Sequence, residues 1–510
     1  MDIRRAYKRD LMARELSNSH LSCQVSIRIH LTQQGYQLVG SIINTLNFQT
    51  RIFVTLPFTS IIMPAIVKPE RKTLLGRHRV GRWLPNDHIA LQKYISAVVK
   101  RATENPPQRS PSVAVLETLI NNNPEIYMLF SEMLTEVPRA GIYNQDPSGR
   151  PEIRDVGTLL DTLDTILLSA PYWNDSAQIG TPINAVLAWP MATTAGFAAF
   201  LKDDVNDALQ GILEAWGTFL TKPESTDTLN DGDGGWFSTS ALESPHMKNF
   251  IQTYVCDPNA PFWGYTSWDD FFIRSFWPGV RPTASLHDES IIDSAAESWP
   301  FNYQTNVNLV DNFWIKGQPY SLKHMLDNDS RADQFVGGTV YQAFLAADSY
   351  HCWHAPVSGT IVDFKKVKGT YYSEPVLYSF DPDEGIGKIT EGSGTPDPGA
   401  DADSQGYISA VAARGIIWIQ ADNDAIGLMA MILVGMAEVS SIDLTAKVHS
   451  HVHKGEKIGM FHFGGSTHCL VFGGQVKLTL NPEVKAKIGN DDPALPPVHV
   501  CSKLMTVDSN

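Results

Sequence analysis

The segment FHFGGSTHCLVF (461–472) places two glycines, a serine and a threonine between two apolar runs. Apolar runs of this length are typical of short buried strands. A GGST sequence between strands is most often a hairpin turn, because glycine reaches positive φ angles at little cost. The segment also supplies a hydroxyl group, so Ser466 is a candidate nucleophile.

Two other segments carry side chains that could activate a serine. SYHCWHAPVSGTI (349–361) contains His351 and His354 beside a Pro/Gly turn, and IIDSAAESWPFN (291–302) contains Glu297 among small residues. A hydroxyl, an imidazole and a carboxylate form the general arrangement of an activated serine. Taken alone, each segment also fits a structural role, and the spacing does not prove that the three groups meet. The absence of a GxSxG motif disfavours the α/β-hydrolase class.

The first half of the chain has the apolar periodicity of helices. Asn86 and Asp87 are placed to cap the first predicted helix. The apolar positions of three predicted helices are Leu91, Tyr94, Ile95, Val98 and Val99; Leu159, Leu160, Leu163, Ile166 and Leu167; and Val205, Ala208, Leu209, Ile212, Leu213, Trp216, Phe219 and Leu220. A turn-rich stretch (228–236) then separates this half from the next.

After about residue 290 the sequence predicts strands. Val362 and Phe364 alternate with charged residues, as Val476, Leu478 and Leu480 do with Lys477 and Thr479, and GIIWIQ (415–420) and GLMAMILVGM (427–436) are continuous apolar runs. The acidic, Gly/Pro-rich segment 381–405 is predicted to be a long surface loop.

Composition limits the partners of the protein. The 510 residues carry a net charge of −15, so nucleic acid and anionic membrane surfaces are disfavoured as partners. The apolar stretch 52–67 is too short for a membrane span and contains two prolines. Five scattered cysteines suggest no disulfide framework, which fits a reducing compartment. We expect a cytoplasmic protein without stable membrane insertion.

Five motifs in a fixed order resemble the phosphatidylserine decarboxylase superfamily. The matching motifs are SWDDFFIRSF…RP (267–282), SAAES (294–298), IKGQPYSLKHML (315–326), YHCWHAPVSGTI (350–361) and EKIGMFHFGGST (456–467). In the helical half, TTAGFAAF (193–200) and EAWGTFL (214–220) are similar to a fungal branch of the family that includes L-tryptophan decarboxylases. The resemblance leaves residues 1–75 unmatched.

The resemblance and the periodicity together predict an α+β protein. A helical N-terminal domain (76–235) would precede a β-rich catalytic domain (250–510) similar to phosphatidylserine decarboxylase. Members of the family are proenzymes that cut themselves before the serine of the last motif. The resemblance therefore implies cleavage between Gly465 and Ser466, with a β chain ending at 465 and an α chain of 466–510 that remain partners. Ser466 would become a pyruvoyl group, so pyridoxal phosphate is not expected.

The resemblance also implies roles for the other polar residues. His354 matches the base of self-cleavage, and Glu297 stands where the family usually has the aspartate that orients this base. Asp293 is a second candidate for that carboxylate. His351 matches the residue that transfers a proton to the substrate once the pyruvoyl group has formed a Schiff base. Many relatives have arginine where this chain has Cys352.

The implied substrate is a free aromatic L-amino acid, with L-tryptophan, which gives tryptamine, as the named candidate. Aromatic residues of APFWGYTSW (260–268) and Trp353 could line an indole pocket, or they could be ordinary core. Phosphatidylserine is the alternative substrate, although the chain has no evident membrane-binding feature and lacks the cation at Cys352. A homo-oligomer stays open.

Three other hypotheses are weighed against an active decarboxylase. His449, His451 and His453 alternate along a predicted strand and could bind zinc, with His462 or His468 joining them. HAPVSGTIVDF and VHKGEKIGMF resemble halves of a biotinyl carrier domain, which would need a lysine in a suitable turn. The changes at Glu297 and Cys352 could also mark a relative that has lost activity.

Overall fold

The computed structural model describes residues 88–137, 153–174, 181–191, 193–244, 247–311, 320–373, 405–436, 438, 441–489 and 495–508. All of them belong to one compact unit. The expectations for 1–75, for 52–67, for the caps at Asn86 and Asp87, and for most of 381–405 lie outside these residues.

Helices occupy the first part of the described chain. Their bounds are α1 His88–Glu104, α2 Pro111–Asn122, α3 Pro124–Glu136, α4 Val156–Ile166, α5 Pro182–Met191, α6 Thr194–Ala199, α7 Asp203–Leu220, α8 Thr239–Glu243, α9 Phe250–Thr253 and α10 Trp268–Phe272. Three later helices are α11 Leu322–Met325, α12 Gln405–Val411 and α13 Pro482–Lys485, and 3-10 turns lie at Pro223–Thr228, Pro261–Gly264 and Ser330–Phe335.

The helices begin where the sequence supplies caps and continue where one face is apolar. The Ser110 hydroxyl accepts a hydrogen bond from the Val113 N–H at the start of α2, and the Asp155 carboxylate accepts one from the Thr158 N–H at the start of α4. In α7 the residues at helical spacing, from Val205 to Leu220, are buried, except Phe219, which is half-buried. The three predicted helices are confirmed.

Strands follow in the second part. Their bounds are β1 Ile291–Asp293, β2 Trp299–Thr305, β3 Thr339–Leu345, β4 Cys352–His354, β5 Gly359–Val367, β6 Arg414–Ala421, β7 Leu428–Gly435, β8 Ser441–Leu444, β9 His451–Val452, β10 Lys457–His462, β11 Ser466–Phe472, β12 Leu478–Leu480 and β13 Lys503–Val507. The predicted strands are confirmed with two exceptions. The last one begins at Leu478 and leaves out Val476, and the predicted histidine-rich strand is reduced to His451 and Val452, since His449 has a φ of 67°.

Every pairing between these strands is antiparallel. The large sheet has seven strands in the order β2-β3-β11-β7-β6-β5-β9, so β11 is an interior strand. Two three-stranded sheets have the orders β4-β10-β8 and β1-β13-β12. All seven residues of β11 are buried, because side chains cover both faces of the large sheet at this strand.

The helical core extends to the strands that carry the histidines. Its buried residues include Tyr350, Cys352 and Phe463 from the β-rich part and Cys501 from the C-terminal region. Helices packed on antiparallel sheets confirm the α+β class. No helix among the described residues has the length and apolar character of a membrane span.

Candidate active site

The segment before Ser466 connects two different sheets. β10 pairs with β4 and β8, whereas β11 pairs with β3 and β7. The interpretation of GGST as a hairpin turn is therefore wrong, because β10 and β11 are not partners. The crossing occurs over 463–465, where Gly464 has a φ of 131°, a value that favours glycine.

Ser466 is the first residue of β11 and is completely buried. Its backbone lies opposite Leu345 on β3 and Gly435 on β7. The Ser466 hydroxyl has no hydrogen-bond partner in the described part of the chain. A buried hydroxyl without a partner is costly, which makes this position a candidate for chemistry.

The carbonyl group before Ser466 is held by a neighbouring strand. The Gly465 oxygen accepts a hydrogen bond of 3.0 Å from the backbone N–H of Met436, just after β7. An N–H aimed at a carbonyl oxygen stabilises negative charge that develops there when a nucleophile attacks the carbon. The Gly465 carbonyl is thus polarised towards attack at its carbon.

His354 ends β4 and has a partner at each ring nitrogen. Nδ1 lies 2.7 Å from the Gly455 oxygen, and Nε2 lies 3.0 Å from the Tyr350 hydroxyl. Because a carbonyl only accepts, Nδ1 carries the proton and Nε2 is the basic atom. Burial lowers the pKa of His354, with the Lys457 charge acting in the same direction and the Gly455 hydrogen bond and Glu297 opposing it.

Glu297 does not contact the His354 ring. Its carboxylate forms a two-point ion pair with Arg281, at 3.0 Å and 2.6 Å, and accepts a hydrogen bond of 2.9 Å from the Val500 N–H. The next residue, Cys501, places its sulfur 3.6 Å from His354 Nδ1. Besides the effect of its charge on the pKa, Glu297 is connected to the histidine through the backbone of the C-terminal segment.

Asp293 is the second carboxylate near this region. It is buried, and its Oδ2 accepts a hydrogen bond of 3.2 Å from the Ala284 N–H. Burial raises the pKa of Asp293 to about 7, although Lys454 and the Ala284 N–H act in the opposite direction. Asp293 has no hydrogen bond to His354 either, so neither carboxylate completes a direct triad in this structure.

His351 is fixed on both sides of its ring. Nδ1 lies 3.1 Å from the Ser349 oxygen, and that oxygen also accepts a hydrogen bond from Arg274. The ring stacks on Phe272 with 4.2 Å between ring centroids, and the His351 oxygen accepts a hydrogen bond from the Phe461 N–H on β10. His351 is thereby tied to the strand that leads to Ser466.

Aromatic rings surround the residue that starts the crossing. Phe463 makes edge contacts with Trp216 at 4.8 Å, with Trp268 at 4.5 Å and with Phe272 at 5.5 Å. Trp353, which the sequence grouped with Trp268, lies in a different core cluster. The aromatic cluster near Ser466 thus comes from α7 and α10.

Cys352 and the histidine-rich strand make other contacts. The Cys352 thiol is buried and donates to the Ile273 oxygen at 3.6 Å. His451 pairs with Asp422 at 2.7 Å. Within the described ranges no group of three or more His, Cys, Asp or Glu side chains could hold a metal ion, so the zinc hypothesis at His449, His451 and His453 finds no support.

Three groups that the structure singles out escaped sequence reasoning. Tyr350 stands inside a motif that already contained two histidines, so its position was a usable signal. Glu438 follows an apolar strand as an isolated acid, which was a weaker signal. The backbone N–H of Met436 gave no signal in the sequence, because every residue except proline supplies such a group.

Residues 110–244 and 268–492 each match a family described as phosphatidylserine decarboxylase. A decarboxylase named iboD from Amanita muscaria is 42% identical over 60% of this chain and 87% of its own length. An L-tryptophan decarboxylase from Psilocybe cyanescens is 33% identical over 80% of this chain and 92% of its own. A phosphatidylserine decarboxylase proenzyme from Fusobacterium nucleatum is 28% identical over 50% of this chain and 71% of its own.

Proposed function

We propose a function from one premise: this chain belongs to the phosphatidylserine decarboxylase family and is a decarboxylase. In our proposal it cuts itself before Ser466 and then removes the carboxyl group of a free aromatic L-amino acid. The observation that carries the proposal is the buried Ser466 hydroxyl without a partner beside a carbonyl that the Met436 N–H polarises. L-tryptophan is the substrate that we name.

Self-cleavage would proceed at the bond between Gly465 and Ser466. The Ser466 oxygen attacks the Gly465 carbonyl carbon, the carbon–nitrogen bond breaks and an ester replaces the amide. Loss of the Ser466 α-proton then expels the Gly465 carboxylate, and water releases the nitrogen as ammonia. The new end of the α chain is a pyruvoyl group, and residues up to 465 form the β chain.

His354 is the base that we assign to the first step. Its lowered pKa keeps the ring neutral near pH 7, and the Gly455 oxygen fixes the tautomer whose Nε2 can take a proton. The Tyr350 hydroxyl occupies Nε2 in the uncut chain, so it must yield that atom during the reaction.

Glu297 would act as a positioning residue. It holds Val500, and through it Cys501 beside the His354 ring. This indirect arrangement replaces the direct carboxylate contact expected from the resemblance. Self-cleavage as we propose it therefore does not need a carboxylate in direct contact with His354. Instead, the position of His354 depends on the C-terminal segment.

His351 is the residue that we assign to proton return. A pyruvoyl ketone would bind the substrate amine and accept the electrons released with carbon dioxide. Because the Ser349 oxygen accepts the Nδ1 proton of His351, we assign Nε2, once it has taken up a proton, to deliver that proton to the substrate α-carbon. Stacking on Phe272 keeps the ring in place.

The aromatic substrate class rests on two supports. One relative that covers 80% of this chain is named an L-tryptophan decarboxylase. In this chain, Trp216, Trp268 and Phe272 gather around Phe463, three residues before Ser466. Aromatic side chains pack well against aromatic ligands in edge and offset geometries.

The test compares the natural chain with Ser466→Ala. We expect the natural chain to appear as two chains on a denaturing gel and to convert tryptophan to tryptamine, whereas Ser466→Ala stays at full length and forms no amine. Ser450→Ala, which removes a hydroxyl that donates to the Lys447 oxygen within its own turn, is the control and should be cut normally.

Tryptophan, tyrosine, phenylalanine and phosphatidylserine should be offered separately, with amines and carbon dioxide measured by mass spectrometry. Amine production by Ser466→Ala would overturn the mechanism. Turnover of phosphatidylserine alone would overturn the substrate class and leave self-cleavage standing.

A further inference from the structure

Glu438 is a buried carboxyl group that the proposed mechanism does not use. It lies after β7 and is 2% exposed. One oxygen, Oε1, accepts a hydrogen bond of 2.8 Å from the Asn184 N–H in the first turn of α5. The other oxygen, Oε2, has no hydrogen-bond partner among the described residues. Half of the carboxyl group is therefore buried without a partner.

The side chain of Asn184 is unpartnered as well. Its amide is completely buried, and neither its oxygen nor its nitrogen has a hydrogen-bond partner within the described ranges. Three unpartnered polar atoms on two neighbouring residues are unusual, since buried polar groups are nearly always paired. The contact with the start of α5 accounts for Glu438 Oε1 only. The other three atoms, Oε2 of Glu438 and the side-chain oxygen and nitrogen of Asn184, therefore indicate a place where a ligand binds.

The position of Glu438 relates this pair to the reaction. Gly435 lies opposite Ser466 in the large sheet, and the Met436 N–H holds the Gly465 oxygen. Glu438 is two residues further along. Two residues span at most about 7 Å of chain, so the Glu438 backbone lies within about that distance of Met436, whose N–H holds the Gly465 oxygen.

We propose that Glu438 and Asn184 form a substrate-binding site that receives an uncharged polar atom on the side chain of a free amino acid. The inference rests on the proposed function, because it assumes that the substrate amine is bound where Ser466 stands. The ligand class is a ring that carries an N–H or O–H group, as indole and phenol do, and a plain phenyl ring is disfavoured.

The electrostatics of the pair suit an uncharged group. Burial raises the pKa of Glu438 to about 8, and the N–H groups of Asn184 and Ile183 offset only part of that effect. At neutral pH the carboxyl group is mostly protonated, so it can donate as well as accept. The Asn184 amide also offers a donor and an acceptor. A phenyl ring would leave all of these atoms unpaired, which is the basis of strong rejection.

The experiment measures kcat/KM for tryptophan, tyrosine and phenylalanine with completely self-cleaved protein. The natural chain should favour tryptophan or tyrosine over phenylalanine. Glu438→Met removes the polar atoms at similar length, and Asn184→Ala removes the amide with little steric risk. We expect each to lower the ratio of tryptophan or tyrosine to phenylalanine by about tenfold or more, whereas Glu438→Gln keeps most of it.

Glu136→Met is the matched control. The Glu136 carboxylate also accepts a backbone N–H at a helix start, that of Ala195 in α6, at 3.0 Å. Its loss should leave the substrate ratio unchanged.

Two results would overturn the inference and keep the decarboxylase. One is a substrate ratio within twofold of the natural value in Glu438→Met or Asn184→Ala; the other is equal use of phenylalanine and tryptophan by the natural chain. If the natural chain accepts no free amino acid, the proposed substrate class and this inference both fall.

Discussion

Two histidines on neighbouring strands, His354 and His462, are both largely buried, yet their pKa values shift in opposite directions. His354 meets a carbonyl and a phenol hydroxyl, and its pKa is lowered. His462 lies between Asp269, at 2.9 Å from Nδ1, and Asp443, at 3.2 Å from Nε2. Burial would lower the pKa of His462, but the two carboxylates raise it.

The difference shows that partners, rather than burial, decide what each ring can do. A neutral imidazole can accept a proton and serve as a base. A ring that donates from both nitrogens to carboxylates must be charged, so it serves as a structural cation between α10, β8 and β10. His462 thus fixes a charge on β10, the strand that leads to Ser466, whereas His354 on the neighbouring β4 has the neutral ring that a base needs.

Replacing the base should have the largest effect. We expect His354→Gln to slow self-cleavage by about 100- to 10,000-fold, because general base catalysis contributes a factor of that size. The measurement is the fraction of two-chain protein on a denaturing gel with time after synthesis. His351→Gln is the paired variant, and it should be cut but form little amine. If His354→Gln were cut at the natural rate, His354 would not be the base of self-cleavage.

The pH dependence of self-cleavage sharpens the same contrast. Because the pKa of His354 is lowered from its usual value of 6.5, the ring stays neutral as the pH falls from 8 to 6.5. The cleavage rate should be flat over that interval and fall by about tenfold per pH unit below the lowered pKa. Rates of cleavage at a series of pH values test this, and a half-maximal rate above pH 6.5 would contradict it.

Replacing the structural cation should cost stability. We expect His462→Gln to lower the free energy of unfolding by about 1.5 to 3 kcal/mol, the range for hydrogen bonds to charged groups. The raised pKa stabilises the fold fully below the unfolded pKa, and this contribution is lost as the pH rises through the folded value. The deficit should therefore be larger at pH 6 than at pH 9.

Denaturant unfolding in the Ser466→Ala background measures the deficit on a single uncut chain. Ser466→Ala with natural His462 is its control. An equal deficit at both pH values would show that His462 is not charged.

The smallest effect is expected at the edge of the charged cluster. Lys366 contacts Asp443 at 2.9 Å, but the two side chains are 58% and 46% exposed. Water screens such pairs, so Lys366→Ala should cost less than about 1 kcal/mol in the same unfolding experiment. If Lys366→Ala lowered the free energy of unfolding as much as His462→Gln, the exposed pair of Lys366 and Asp443 would be as important for stability as His462.

Local patterns predicted most elements of the fold. The buried face of α7 and the apolar runs of β6 and β7 were evident because each follows from residues close in sequence. The separation of β10 and β11 into different sheets was not, since strand pairing depends on distant residues. Gly464 and Gly465 predicted a hairpin turn, whereas in the structure they lie where the chain passes from one sheet to another.

The candidate site could be predicted by residue type but not by contact. Ser466, His351 and His354 were evident from the motifs. The partner of His354 Nδ1 is a backbone oxygen 101 residues away, and no side-chain pattern encodes such a contact. Glu297 was expected at that atom, but the ion pair with Arg281 holds it elsewhere.

The interior place of β11 has a consequence for the lifetime of the protein. If the chain is cut before Ser466, the new end is already hydrogen-bonded to a strand on each side. Before the cut, recovery from unfolding involves one molecule, whereas afterwards two pieces must find each other at a rate that depends on concentration. The order of events would then be irreversible: the molecule folds once as a proenzyme, and its persistence as an enzyme depends on never coming apart.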